Sequence, residues 1–226
     1  MISIIVPTYN EKENIKKLID EVSEYLDEKI EYEIIVVDDD SPDLTWEIAE
    51  KIENKKVKVL RRMGKRGLAS AVIDGFLKAK GDIFVVMDAD FSHDFRIIPD
   101  LAGKIKEGNE IAVGSRFVKG GGVEGWPLYR IFISRGATLL ANILLDIKVK
   151  DPMSGFFAIE REVFERIKDK LNPKGYKILL EILARSGSKK ITEVPYVFKD
   201  RKYGKSKLSG KIINEYINMV LELKKK

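Results

Sequence analysis

Short apolar runs alternate with stretches of helical periodicity from the first residues onward. The runs are Ile2 to Val6, Ile34 to Val37, Val57 to Leu60, Ile83 to Met87 and Ile111 to Val113. Between them, Asn14 to Leu26, Leu44 to Ile52, Leu68 to Ala79 and Ile97 to Lys106 repeat their apolar residues at helical spacing. Strands buried on both faces and separated by helices predict an α/β fold with a mainly parallel central sheet, Rossmann-like in outline and flanked by helices.

After Gly114-Ser115-Arg116 the pattern changes. Gly120-Gly121-Gly122 and Gly125 predict a loop leading to Trp126-Pro127. Beyond it, apolar residues at 132, 139, 140, 143, 144 and 147 share one helical face, with Ser134, Arg135, Thr138, Asn142 and Asp146 off it. A second amphipathic helix carries Ile212, Ile213, Tyr216, Ile217, Val220 and Leu221. Both helices fit two roles: packing on the sheet, or lying in the plane of a membrane surface. The whole, residues 1–226, is expected to be one domain, with a nucleotide-binding half at 1–117, an acceptor and lid half at 118–207 and a closing amphipathic helix at 208–226.

Composition narrows the chemistry. In 226 residues, 44% are hydrophobic and 34% charged, as in a globular protein, and the net charge of +5 permits an anionic partner without identifying it. There is no Cys and only one His, His93, so thiolate catalysis and sulfur-based zinc sites are excluded, and multi-histidine metal sites and a Ser-His-Asp triad are disfavoured. The first apolar run meets Pro7 at once and is expected to be a strand rather than a leader. Ile131 to Ile147 is the best candidate for a membrane span, but Arg135, Asn142 and Asp146 interrupt it, so none is expected. Gly204-Lys205-Ser206 lacks the Gly that a phosphate-binding P-loop needs five residues earlier, and no GxGxxG follows the first strand.

What remains is a set of strand ends rich in acid. Ile83 to Met87 runs into Asp88-Ala89-Asp90, and two carboxylates on the exposed carboxyl end of a buried strand call for a cation. A hard divalent ion bridging to a phosphate satisfies them, at the sheet edge where ligands of such folds bind. Asp38-Asp39-Asp40 either caps the next helix, with Ser41 or Asp43 as N-cap and Pro42 near the first turn, or accepts hydrogen bonds from a base or ribose. His93 fits a third metal ligand or a packing role equally well. Arg116 suits a bidentate grip on phosphate or a surface ion pair, and the basic stretch from Lys199 to Lys207 suits a lid over anions.

Taken together these motifs resemble the family-2, GT-A-fold glycosyltransferases, specifically the dolichol-phosphate mannose synthases. The resemblance runs through Val-Pro-Thr-Tyr-Asn-Glu at 6–11, Val-Val-Asp-Asp-Asp-Ser-Pro-Asp at 36–43, Met-Asp-Ala-Asp at 87–90, Gly-Ser-Arg-Phe at 114–117, Asp-Pro-Met-Ser-Gly-Phe-Phe at 151–157 and Gly-Lys-Ser-Lys-Leu at 204–208. It implies that Pro7, Tyr9, Glu11, Val37 and Asp39 hold the guanosine of GDP-mannose, with Asp88 and Ala89 against the nucleotide sugar. It implies Mg²⁺ or Mn²⁺ on Asp90, phosphate on Arg116, Lys177 facing the donor, and Arg201 and Lys207 closing over it. Arg130 and Ser134, with Arg116, would receive the phosphate of dolichyl (polyprenyl) phosphate. Where the family often has Gln, this chain has Ser92, so the second protein ligand is Ser92, His93 or a water.

Mechanistically, the resemblance implies inverting displacement. A phosphomonoester has its second pKa near ~6 and is largely dianionic at neutral pH, so it needs little general-base help. The reaction's difficulty lies in charge, which a metal and cationic side chains absorb. Many relatives carry transmembrane helices after the catalytic domain. The chain resembles the shorter type, expected peripherally on the cytoplasmic face of a membrane, directly or through a separate anchor protein, with no nucleic-acid partner.

Overall fold

A computed structural model describes residues 1–173, 177–200 and 210–224. The first half alternates as expected: β1 (Ile2–Thr8), α1 (Ile15–Leu26), β2 (Tyr32–Asp38), α2 (Thr45–Glu50), β3 (Val57–Arg61), α3 (Leu68–Lys78), β4 (Ile83–Val86), α4 (Ile98–Lys106) and β5 (Ile111–Ser115). Then follow β6 (Gly122–Glu124), α5 (Leu128–Leu145), β7 (Phe157–Glu160), α6 (Arg161–Ile167), α7 (Ile178–Ser186), β8 (Ile191–Pro195), β9 (Val197–Lys199) and α8 (Gly210–Lys224). Seven strands form one sheet in the order β3-β2-β1-β4-β7-β5-β8, and β6 pairs with β9 apart from it.

The sheet is parallel except for β7, which runs antiparallel between β4 and β5. Hydrophobic layers cover both faces. One is built on α1 and α4, with Leu18, Ile19, Val22, Leu101 and Ile105; the other on α3, α6 and α7, with Val72, Phe76, Phe164 and Ile182. Gly75 lets α3 sit directly on the sheet, since a Cβ there would lie 2.6 Å from Ile5 Cγ2. At the far edge of β1, Glu33 of β2 accepts from Ser3 Oγ at 2.6 Å, from the Lys80 N–H at 2.6 Å and from Lys58 of β3, tying three strands and a loop together.

Two helix boundaries are corrected. The helix expected from Ile97 is preceded by a 3₁₀ turn over Phe95–Ile97, whose Arg96 N–H donates to Asp94, and α4 starts at Ile98. The helix expected to end at Ile147 stops at Leu145, where Asp146 takes a left-handed conformation (φ 50°). With Asp146 outside it, α5 is by length and composition apolar enough to cross a membrane. Its apolar face also looks outward. Thr138 and Ala141 are the buried positions, while Leu128, Phe132, Leu139 and Ile143 are 60–74% exposed. α8 packs beside it, with Tyr216 Oη donating to Ala137 O at 2.6 Å and Ile217 and Leu221 left exposed.

Candidate active site

β1, β2 and β4 are neighbours, so their acidic carboxyl ends meet at one edge. Asp38 is a staple there: it accepts from Thr8 Oγ1, Ser41 N and Ser41 Oγ, each at 2.7 Å. The capping role expected of Ser41 is corrected, because α2 begins after Leu44 in a left-handed conformation and Ser41 turns back to Asp38. Asp43 nonetheless accepts from Thr45 N at 3.1 Å. Asp39 is buried against the Arg62 guanidinium and also accepts from Gly67 N at 2.8 Å. Arg62 donates further to Ser70 Oγ and Gly67 O, so the Asp39 carboxylate organises the 62–67 loop beside the ends of β1 and β2.

At the end of β4, Asp90 Oδ1 accepts from Ser92 N at 3.0 Å across a tight turn in which Phe91 has φ 60°. Both residues are buried, and among the described residues Ser92 Oγ has no hydrogen-bond partner. No group of three His, Cys, Asp or Glu side chains among the described residues is placed to hold a metal alone. The donors fit a hard divalent ion that takes one or two protein oxygens and completes its shell with water or ligand oxygens. His93 is directed elsewhere: Nδ1 accepts from Asp88 N at 3.0 Å, Nε2 lies 3.8 Å from Asp88 Oδ2, and the ring stacks on Phe156. Gly155 makes that packing possible, for a Cβ there would be 3.2 Å from His93 Cε1 and 3.5 Å from Asp88 Oδ2.

The cationic side faces these carboxylates. Arg116, at the end of β5, forms a bidentate pair with Asp151, Nε to Oδ2 and Nη2 to Oδ1 at 2.7 Å each. Burial works against its charge, but Asp151 raises its pKa further. Sequence reasoning missed Asp151; it opens the Asp-Pro-Met-Ser-Gly motif, and only the fold brings it to Arg116. Lys177 lies close enough to feel Arg116, Asp151, Asp88 and Arg130; burial and then Arg116 pull its pKa below the ordinary value. Tyr196, also missed, is buried beside Arg116 and His93, and burial pushes its phenol up. Arg130 lies in the first turn of α5, 3.8 Å from Asp200, with Ser134 one turn on.

Other expected residues divide. Pro7, Tyr9 and Glu11 line the end of β1, with the Arg66 guanidinium 4.6 Å from the centre of the exposed Tyr9 ring. Ala89 is buried beneath the Asp88–Asp90 turn. Val37 has its side chain wholly buried against Gly75, in register with Pro7 of β1 and Leu60 of β3. The expectations for Arg201 and Lys207 fall outside the described residues.

Comparisons with known proteins follow this geometry. Residues 3–168 match the model of glycosyl transferase family 2. Dolichol-phosphate mannosyltransferase of Pyrococcus furiosus is 51% identical, covering 99% of this chain and 64% of its own length. Proteins of the same name from Mycosarcoma maydis and Saccharomyces cerevisiae are 36% and 38% identical, over 98% of this chain and 78% and 86% of theirs. The chain thus spans less than two thirds of the length of the Pyrococcus furiosus relative. Among solved structures, glucosyl-3-phosphoglycerate synthase from Mycobacterium tuberculosis, in complex with Mn²⁺, UDP and phosphoglyceric acid, matches with a TM-score of 0.76 over 99% of this chain and 78% of that one. At 23% identity that likeness is one of fold, and it bears out the GT-A arrangement of a mostly parallel seven-stranded sheet.

Proposed function

The chain belongs to glycosyl transferase family 2 and, within it, to the dolichol-phosphate mannosyltransferases, and from that premise we propose that it transfers mannose from GDP-mannose to dolichyl phosphate with inversion. One observation carries the acceptor half of this reading. The cations Arg116, Arg130 and Lys177 gather where α5, with its apolar face exposed, joins the site. An anion-binding cluster at the root of an apolar surface suits a phosphate on a lipid tail.

The nucleoside end of the donor rests on Pro7, Tyr9, Glu11 and Asp39, whose carboxylate keeps acceptor capacity beside Arg62. Asp90, with Ser92 Oγ or a water, would hold a divalent cation, Mg²⁺ or Mn²⁺, that offsets the charge of the diphosphate. Asp88 lies nearest the sugar, its carboxylate oriented by the Gly155 turn and His93. Arg116, Arg130 and Ser134 receive the acceptor phosphate, and Lys177 faces the leaving diphosphate.

In the reaction a phosphate oxygen of the lipid attacks the anomeric carbon. As that bond forms, the bond from the same carbon to the β-phosphate oxygen of GDP breaks, and its electron pair leaves with GDP. The attacking oxygen is already anionic, so no side chain has to remove a proton. The protein's contribution is to bring two anions together and stabilise the one departing. With the apolar faces of α5 and α8 laid into a membrane surface, the reacting phosphate needs no withdrawal of its tail from lipid.

The test is transfer of label from GDP-mannose to dolichyl phosphate, with and without EDTA, with the anomeric configuration of the product determined. A β-linked product that disappears with EDTA and with Asp90→Ala supports the reading. An α-linked product would overturn the single displacement. Thermal-shift titration with GDP, GDP-mannose, UDP and UDP-glucose in the presence of Mn²⁺ separates this donor from the uridine alternative.

A further inference from the structure

Two of the cations assigned above to the acceptor phosphate share one aromatic ring. The Arg130 guanidinium carbon lies 3.8 Å from the centre of the Trp126 ring, and that of Arg116 lies 5.2 Å from it. Trp126 follows β6, and Phe198 of the paired strand β9 braces it edge-on, with centroids 5.4 Å apart at 65°. The turn into it passes through Gly125 at φ 80°, where a Cβ would lie 3.1 Å from Cβ of Asp200, the residue that Arg130 faces.

The indole nitrogen is buried, and among the described residues it has no hydrogen-bond partner. The ring face is where the two cations lie. Of the aromatic side chains, indole attracts a cation over its face most strongly, and more so where water is excluded. Two guanidinium groups converging on one site repel each other, and a shared aromatic surface offsets part of that cost while setting their separation. Arg116 is further fixed by its bidentate pair with Asp151, whereas Arg130 lies 3.8 Å from Asp200 on a helix that faces outward.

We infer that Trp126 is a positioning residue of the acceptor site: its ring holds Arg130 at a set distance from Arg116, so that the two guanidinium groups span one lipid phosphate. The inference deepens the proposed acceptor site and rests on it. Trp126 itself takes no part in bond making or breaking. It acts on the acceptor rather than the donor, because Arg130, the partner it positions, belongs to the acceptor site, while Arg116 is already held by Asp151.

The test compares wild type, Trp126→Phe and Trp126→Leu with a short-chain, detergent-soluble polyprenyl phosphate and GDP-mannose, with KM and kcat measured separately for each substrate. Expected is a rise in acceptor KM of about tenfold or more in W126L and a smaller rise, about threefold, in W126F, with the KM for GDP-mannose unchanged. In an Arg130→Ala background, W126L should add little to the acceptor KM, since the residue it positions is gone. Equal losses with both substrates, or an acceptor KM within twofold of wild type in W126L, would overturn the inference. If W126L does not fold, W126F against W126F/R130A carries the same comparison. Absence of transfer from GDP-mannose to any polyprenyl phosphate by the wild type would instead sink the acceptor reading on which this rests.

Discussion

The backbone N–H of Asp88 donates to Nδ1 of His93 at 3.0 Å, which makes that nitrogen an acceptor and puts the ring proton on Nε2, 3.8 Å from Asp88 Oδ2. The only histidine in the chain is thus spent on the geometry of the Asp88–Asp90 turn. Its ring stacks on Phe156 and meets Tyr196 and Phe198 edge-on, so the turn at the end of β4 is joined to the wall formed by β8 and β9. The Lys199 N–H, donating to Ser92 O at 3.2 Å, adds a backbone link across the same seam. The strand-end turn and the β8–β9 segment meet through these contacts.

His93→Ala removes both the ring and the acceptor for Asp88 N–H. The cavity and the unpaired amide together should cost about 2 to 4 kcal/mol of stability. His93→Asn, which can still offer an oxygen to that N–H, should recover part of the loss. Denaturant melts and single-turnover transfer check this. Equal turnover in H93A and wild type would show that the turn holds its shape without the ring.

Asp151 and Arg116 make a second prediction. The Asp151 carboxylate is wholly buried, and it accepts from the Arg116 backbone N–H at 3.0 Å as well as from the guanidinium. Removing one member of a buried pair leaves the other uncompensated, at a cost of about 3 to 5 kcal/mol. Asp151→Ala should therefore be less stable than Arg116→Ala combined with Asp151→Ala. Arg116→Lys should not restore transfer, because an ammonium cannot bridge both carboxylate oxygens. Urea unfolding of the three variants, with the transfer assay on R116K, decides it.

These two pairs also mark where sequence reading stops. The alternation from β1 to β5 and the acids at the strand ends were legible, because buried parallel strands are near-continuous apolar runs and Asp88 and Asp90 follow one of them directly. β7 was not. It has four residues, and its antiparallel place between β4 and β5 depends on a long-range pairing that no local period encodes. Asp151 stood inside a motif, yet its partner lies 35 residues away in sequence. On α5 the periodicity showed that one face is apolar but not which way it looks. Only the burial of Thr138 and Ala141 settles that. Ser41 shows the reverse case: a good capping residue whose hydroxyl accepts from the Asn10 N–H of another loop and donates to Asp38.

Acid should loosen the fold through carboxylates held by ion pairs, Glu33 on β2 foremost. Burial of Glu33 disfavours its charge, but hydrogen bonds from Lys58, Ser3 and the Lys80 N–H outweigh this and hold its carboxyl below the ordinary value of 4.5. Arg96 beside Asp94 and Arg166 beside Glu110 act in the same direction. A carboxyl depressed in the folded state stabilises fully above its unfolded pKa, and that stabilisation is lost as pH falls through the folded value. Stability should accordingly be flat with respect to these groups near neutrality and decline below about pH 4.5. Glu33→Gln should be less stable at pH 7 and have a shallower decline, measured by urea midpoints across that window. A decline as steep as in wild type would assign the acid sensitivity to other groups.

The outward face of α5 leads to the last prediction. Phe132 and Ile143 are 70% and 71% exposed, although a helix packed only for stability would turn such residues inward. Burying a large apolar side chain is worth about 1.5 to 3 kcal/mol, and an interfacial helix gains a fraction of that for each residue it immerses. Phe132→Ser and Ile143→Ser should each weaken binding to liposomes about fivefold or more, and the double variant should weaken it further. Folding should be unharmed or slightly improved, because neither residue lies in the core. Transfer to a short acceptor in detergent should persist while transfer to dolichyl phosphate in vesicles falls. Anionic lipid should strengthen binding and salt should weaken it, through the lysines and arginines around the two helices. If both serine variants sediment with vesicles as the wild type does, α5 is not the surface that meets lipid, and the cation cluster at its root would have to be reached from solution.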